Sequence, residues 1–245
     1  MGSFKDSLRT WFYGSGTKAI ADNSNVCILD ASGNPIGCDT IDRVAAYALN
    51  NNDVVDMGLP SGMLWAKKNV GALTETGSGY YFSWGNITGH SKGSGYNFDS
   101  TTYNSTPAAS ISANLTLAQD AAHANLGGLF RMPTTNDFAE LCNSEYTEYI
   151  DASGNVISGT DKRTTVNNVK GLRIRSKANG NIVFLPAGGY YNGTSLVNDG
   201  AGGDYYSSSL HVTNNTALYF GFDANGIYQQ NNISRYYGFS IRAVI

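Results

Sequence analysis

From residue 165 onward the chain is a succession of short β-patterned runs separated by glycine, asparagine and serine. They read VKGLRIRS, NIVFLPAGGYY, GDYYSSSLHV, ALYFGFDANGIYQ and YYGFSIRAVI. Each is strand-length and none carries the i, i+3, i+4 spacing of a helix, so this part of the chain can bury its apolar residues only by pairing strands. Asn225-Gly226 between two such runs is a strong hairpin signal. The last run is apolar to its end, and a strand written this way is expected inside a sheet rather than along its edge.

Residues 53 to 165 mix textures. VVDMGLPSGMLWA and GYYFSWG read as strands, whereas LTLAQDAAHANLGG and TTNDFAELCN read as short helices. Thr116 and Thr134 or Thr135 suit the helix caps, and Gly127 suits the position just past a helix end. Two helices embedded in a β chain predict an α+β domain over residues 53–245.

Residues 1–52 form a separate segment. VCILDASGNPIGC reads as a hairpin, and DTIDRVAAYALNNN places Ile41, Val44, Ala45, Ala48 and Leu49 on one face of an amphipathic helix. Asp39 or Thr40 can cap its start. The turn sequence DASGN recurs at 151–155, in surroundings that do not otherwise repeat. Ahead of the hairpin, Trp11-Phe12-Tyr13 form an aromatic knot of the kind that needs a partner surface to cover it.

Composition narrows the function. Only 14% of residues are charged, against about 25% in ordinary soluble domains. The polar surface therefore falls to Asn, Ser, Thr, Gly and Tyr, which supply adaptable hydrogen bonding and flat aromatic contact. A net charge of −3 and the absence of any dense Lys/Arg run argue against nucleic acid as partner. The first residues lack the pattern of a secretory signal, and no apolar run is long enough for a membrane span. Synthesis in the cytoplasm is the expectation, with Cys27, Cys38 and Cys142 reduced, although Cys27 and Cys38 could pair across the hairpin if oxidised.

Catalytic equipment is missing from the sequence. His90, His123 and His211 have no metal-type spacing, and Cys142 reads as a small buried residue of a helix. Glu140/Glu145 and Asp199/Asp204 are acidic pairs, but Glu140 shares a helix with core residues and the aspartates flank the turn GAGG. Asn198, Asp199, Asp204, Asp223 and Asn225 offer hard oxygen donors without a calcium-loop spacing. No catalytic residue, metal or cofactor is expected, and the protein is read as a non-enzyme.

The ordered motifs VDMGLPSGMLWAKKNVGA, YYFSWG, FRMPTTNDFAEL, IVFLPAGGY, GDYYSSS and GFSIRAV resemble the Fibrobacter succinogenes major paralogous domain, a C-type-lectin-like fold. The resemblance covers residues 54–245. Met132-Pro133-Thr134 stands where the family commonly has Leu-Pro-Thr, and Tyr205-Tyr206 where it has Tyr-Trp. The same broad fold includes formylglycine-generating enzymes, whose activity needs a late cysteine pair; this chain has no cysteine after Cys142. The motifs themselves read as framework. Trp65 and Trp84 fill the core, Pro133-Thr134 set a turn and cap, and Arg242 seeks a carboxylate or carbonyl.

What the resemblance implies is a binding head. In such folds the late loops face outward, and the expected ligand-binding set is Tyr205, Tyr206, His211, Asn214, Asn215, Tyr228, Gln230, Asn231, Asn232, Arg235 and Tyr236. Tyrosine supplies rigid area there, while Asn and Gln match sugar hydroxyls. A surface-module family without a secretion signal suggests a phage virion protein, a head or tail fibre released by lysis. Residues 1–52 would attach it to capsid or tail proteins through Trp11, Phe12 and Tyr13, and a homotrimer would display the head on the virion surface toward a host glycan or protein. The alternatives are a capsid decoration protein without a receptor role and a bacterial surface adhesin.

Overall fold

The computed structural model describes residues 25–29, 35–40, 54–104, 111–213 and 215–245. They fall into two units, Met1–Val54 and Val55–Ile245. In the first, β1 (Asn25–Leu29) and β2 (Pro35–Thr40) pair antiparallel with Cys27 opposite Cys38, which is the expected hairpin. Asp39 and Thr40, the proposed helix caps, belong to β2. The rest of that proposed helix and the aromatic knot Trp11-Phe12-Tyr13 lie outside the described residues.

The chain then runs through β3 (Val54–Asp56), β4 (Leu64–Asn69), β5 (Tyr80–Tyr81), β6 (His90–Ser91), α1 (Ser100–Asn104), α2 (Ala121–Leu126), α3 (Thr135–Leu141) and β7 (Thr147–Tyr149). Next come β8 (Arg163–Val166), β9 (Val169–Ser176), β10 (Ile182–Pro186), β11 (Tyr190–Asn192) and β12 (Ser195–Val197). The last elements are β13 (Gly203–Leu210), β14 (Thr216–Asp223), β15 (Gly226–Ser234) and β16 (Arg242–Val244). Strands dominate and the helices are short, so the architecture is mainly β with a minor helical part.

β10, β9 and β7 form one sheet, with β8 also on β9. β13-β14-β15 form a second sheet and β16-β4-β3 a third. The final segment is the seam between them. Phe239 bridges Phe82, Ser240 accepts from Tyr206 N at 3.2 Å, and Ile241 accepts from Val70 N at 2.9 Å. Val244 bridges Arg131, and the Ile245 carbonyl accepts from Leu64 N at 3.0 Å. Arg242, Ala243 and Val244 are fully buried, so the terminal run is interior, as its apolar sequence predicts.

Arg242 is the polar centre of that seam. Its guanidinium donates to Asn69 Oδ1 at 2.9 Å, Ala66 O at 2.8 Å, Lys67 O at 2.5 Å and Phe184 O at 2.7 Å. Carbonyls thus satisfy it, with no carboxylate in hydrogen-bond contact. Burial, the largest influence, lowers its pKa to about 10.

The helices cap much as expected, with one shift. The Thr134 hydroxyl accepts from Asp137 N at 3.2 Å, and Asp137 Oδ2 accepts from Thr134 N at 2.7 Å, a reciprocal box that starts α3. Thr116 instead starts a 3-10 turn over Leu117–Gln119, and Asp120 caps α2 by accepting from His123 N at 3.0 Å. Gly127 closes α2 at φ 70°. α3 lays Phe138 and Leu141 onto a core with Met57, Trp65, Leu172, Ile174, Leu185, Tyr205, Phe220 and Val244. Gly189 lets two strands' backbones meet there: at φ +61° it bridges Gly203, and a Cβ on it would lie 2.1 Å from Val197 O.

Candidate contact face

β14 separates the core from the candidate site. Phe220 and Phe222 join the core, with Phe138 stacked on Phe220 at 4.7 Å. Tyr219 and Gly221 belong to the opposite face, because successive residues of a strand alternate. The neighbouring strands extend that face in two rows, Asp204–Gly221–Tyr228 and Tyr206–Tyr219–Asn231. Between the rows β15 carries one residue more than β14. The resulting bulge at Gln229-Gln230 leaves both glutamines exposed on the strand.

Aromatic rings pack across part of this face. Phe239 stacks on Tyr206 at 4.5 Å, meets Tyr219 edge-on at 4.9 Å and lies 5.5 Å from Tyr190. Tyr190 also contacts Tyr237 at 5.7 Å, and Tyr237 stacks on Tyr236 at 4.8 Å. Tyr190, Tyr219, Tyr236 and Tyr237 are half-buried, and Tyr228 is 39% exposed, so ring surface reaches solvent along the whole patch. The Tyr228 hydroxyl donates to Asp223 Oδ1 at 3.2 Å. Asp204 is set into the patch. Its carboxyl pKa is pushed up to about 7, first by burial and second by the charge of Asp223.

The expected ligand-binding residues divide. Tyr228, Gln230, Asn231 and Asn232 lie on β15, with Asn232 opposite Leu218 on the reverse side from Asn231, and Tyr236 joins the face through the tyrosine pair just described. His211 holds Thr216 Oγ1 at 2.7 Å, and Asn215 is an exposed turn residue at φ 69° whose carbonyl accepts from Arg235 N. Asn214 lies outside the described residues.

Three expected contacts are corrected. Tyr205 and Tyr206 are interior: the Tyr205 hydroxyl donates to Pro186 O at 2.6 Å, and the Tyr206 hydroxyl reaches Tyr237 O at 3.1 Å. An adjacent pair on a strand points to both faces, and here both faces are covered, by the α3 core on one side and by Phe239 on the other. Arg235 is also buried. It donates to Ile111 O at 2.7 Å and Thr216 O at 3.0 Å and sits 4.7 Å over the Trp84 ring. Its role is to tie segments together.

Asp204, Tyr190 and Tyr219 were not expected at the site. The i, i+2 spacing of Tyr219 and Gly221, out of phase with Phe220 and Phe222, is the signal that marks this face in the sequence. The other acidic candidates are occupied elsewhere. Glu140 accepts from Ser61 N at 3.0 Å and from its hydroxyl at 2.5 Å, and Asp199 pairs with Lys92 at 2.5 Å. Among the described residues no three His, Cys, Asp or Glu side chains converge as metal ligands would. A separate cleft of about 370 Å³ is lined by Thr74, Glu75, Thr76, Asn167, Arg173 and Phe184, none of them an expected site residue. No helix among the described residues is long and apolar enough to cross a membrane. Compared with known proteins, the chain matches no family model, no curated protein and no solved structure.

Proposed function

We propose that the protein is a non-enzymatic phage virion protein, a head or tail fibre whose residues 53–245 form a C-type-lectin-like head that adheres to the host surface. The observation that carries this reading is the half-open tyrosine and amide face of β14–β15, backed by the α3 core and packed on its own side by Phe239. Tyrosines fixed by ring contacts lose little freedom on binding, and the flanking Gln230 and Asn231 bring donors and acceptors without net charge. The motifs that carry the family resemblance support the fold part of the reading. Trp65, Tyr205, Phe138 and Arg242 all build the frame and leave the face free to vary.

In this reading residues 1–52 attach the protein to the particle and the assembled form is a homotrimer. The test is adhesion of the purified full chain to host cells, with Tyr236→Ala and Asn231→Ala as face variants. Saturable adhesion that either variant weakens supports the receptor role. An assembled oligomer that binds the virion but no host cell overturns it in favour of a capsid decoration protein.

A further inference from the structure

Asp204 is half-buried, and its carboxyl keeps an open side toward solvent. It sits low against the sheet because Gly221 opposite has no side chain: a Cβ there would lie 3.0 Å from Asp204 Oδ1 and 2.9 Å from Tyr219 Cε2. No described residue donates a hydrogen bond to it, and desolvation with the neighbouring Asp223 charge makes its ionised form unfavourable. The basic groups of this side are engaged elsewhere. Arg163, which feels the charge of Asp223, is held by Asp161 through two contacts of 2.7 Å, and Lys92 is held by Asp199.

Around the carboxylate stand tyrosine rings. Asp204 is close enough to raise the pKa of both Tyr190 and Tyr219, and Tyr228 lies in the same cross-strand row. Ring faces carry partial negative charge, so rings and carboxylate together attract a positive group and repel an anion. A calcium ion is the poorer fit, since it takes about six to eight oxygen ligands and only Asp204 and Asp223 bring carboxylates here.

We propose that Asp204, with Tyr190, Tyr219 and Tyr228, forms a recognition site for an organic cation, an ammonium group carried by the ligand. The proposal rests on the contact-face reading above and names the chemistry that one corner of the face selects. An ammonium supplies the missing counter-charge to Asp204 and covers the exposed ring surface, while the amides along β15 remain for the rest of the ligand.

The test titrates the full chain with tetramethylammonium chloride and with methylammonium chloride, against sodium chloride at equal ionic strength, following tyrosine ring signals by NMR. Saturable binding of either probe supports the site. Tighter binding of the first marks a quaternary headgroup as the natural source, and of the second a primary amine. Asp204→Asn is expected to weaken binding about tenfold or more. Tyr228→Ala, on an exposed strand where folding is safe, is expected to weaken it about fivefold. Leu73→Ser, at an exposed position outside the face, leaves it unchanged.

Absence of saturation by both probes, or binding unaltered in both Asp204→Asn and Tyr228→Ala, overturns the site. Displacement of the same signals by calcium chloride alone overturns it in favour of a metal. Adhesion to host cells is scored separately. Lost titration with intact adhesion removes the cation site only, and intact titration with no adhesion by the wild-type protein removes the receptor reading only.

Discussion

Replacing Arg242 with methionine tests how the seam holds. The substitution keeps the length and apolar stem of the side chain and removes five donors, four contacts of which reach Asn69 Oδ1, Ala66 O, Lys67 O and Phe184 O. Methionine regains the desolvation cost of a buried cation, which works in its favour. Against that stand four buried acceptors that lose a charged donor where water cannot replace it. At about 1 kcal/mol for each orphaned acceptor the loss is about 4 kcal/mol, a large part of the roughly 5–15 kcal/mol that holds a domain together. Arg242→Lys should fall between, because an ammonium cannot span all the acceptors on β4 and β10. Urea unfolding followed by the fluorescence of the chain's three tryptophans measures both. A methionine variant within about 1 kcal/mol of wild type would show that the carbonyl cluster is satisfied without the guanidinium, and the reasoning would fail.

Other expectations follow from the same contacts. Asp204 has its folded pKa raised from 3.8 to about 7, so the folded state holds the proton more tightly than the unfolded chain. Its contribution to stability therefore falls as pH rises from about 4 to about 7, by up to a few kcal/mol. Asp204→Asn should remove that slope, read as the difference between the two proteins' unfolding free energies across the window; parallel curves would contradict it. Asp223, Tyr190, Tyr205, Tyr206 and Tyr219 are the titratable groups that interact with Asp204, and all remain in the variant. Gly189→Ala forces a Cβ into the Val197 carbonyl at a positive φ and should cost at least about 3 kcal/mol or prevent folding. A melting temperature near wild type would show that the loop shifts freely. Thr134→Ala loses one half of the α3 capping box and should cost about 1 kcal/mol in thermal or urea unfolding.

Much of the frame was legible because it is written in strand periodicity and in caps. The runs after residue 165, the DASGN hairpins, Thr134 and Gly127 follow local rules, and Arg242 found carbonyls as its position between apolar residues required. Even so, the β14–β15 turn places Ala224-Asn225 at its tip with Gly226 already paired to Asp223, one residue earlier than the Asn-Gly signal suggests. The contact face was only half legible. Alternation shows which face a tyrosine takes, but not whether a second layer covers that face, and Phe239 covers the one bearing Tyr206. Arg235 read as surface because the Trp84 ring and the Ile111 carbonyl that receive it are distant in sequence. Asp204 read as a loop-shaping residue beside GAGG until the strand register set it against Gly221.

The seam also sets an order on assembly during synthesis. Arg242 closes onto Asn69, 173 residues earlier, and the strand that contains it lies between β4 and Arg131. Until residues 239–245 have left the ribosome, β4 lacks its β16 partner, Phe82 and Arg131 lack their bridges, and Tyr206 N lacks its acceptor. The emerging chain must keep these edges from pairing with neighbours while it waits, a long interval for contacts so distant in sequence. Nascent chains halted just short of Phe239 should therefore be digested by added protease, and chains halted well beyond Ile245 should resist it.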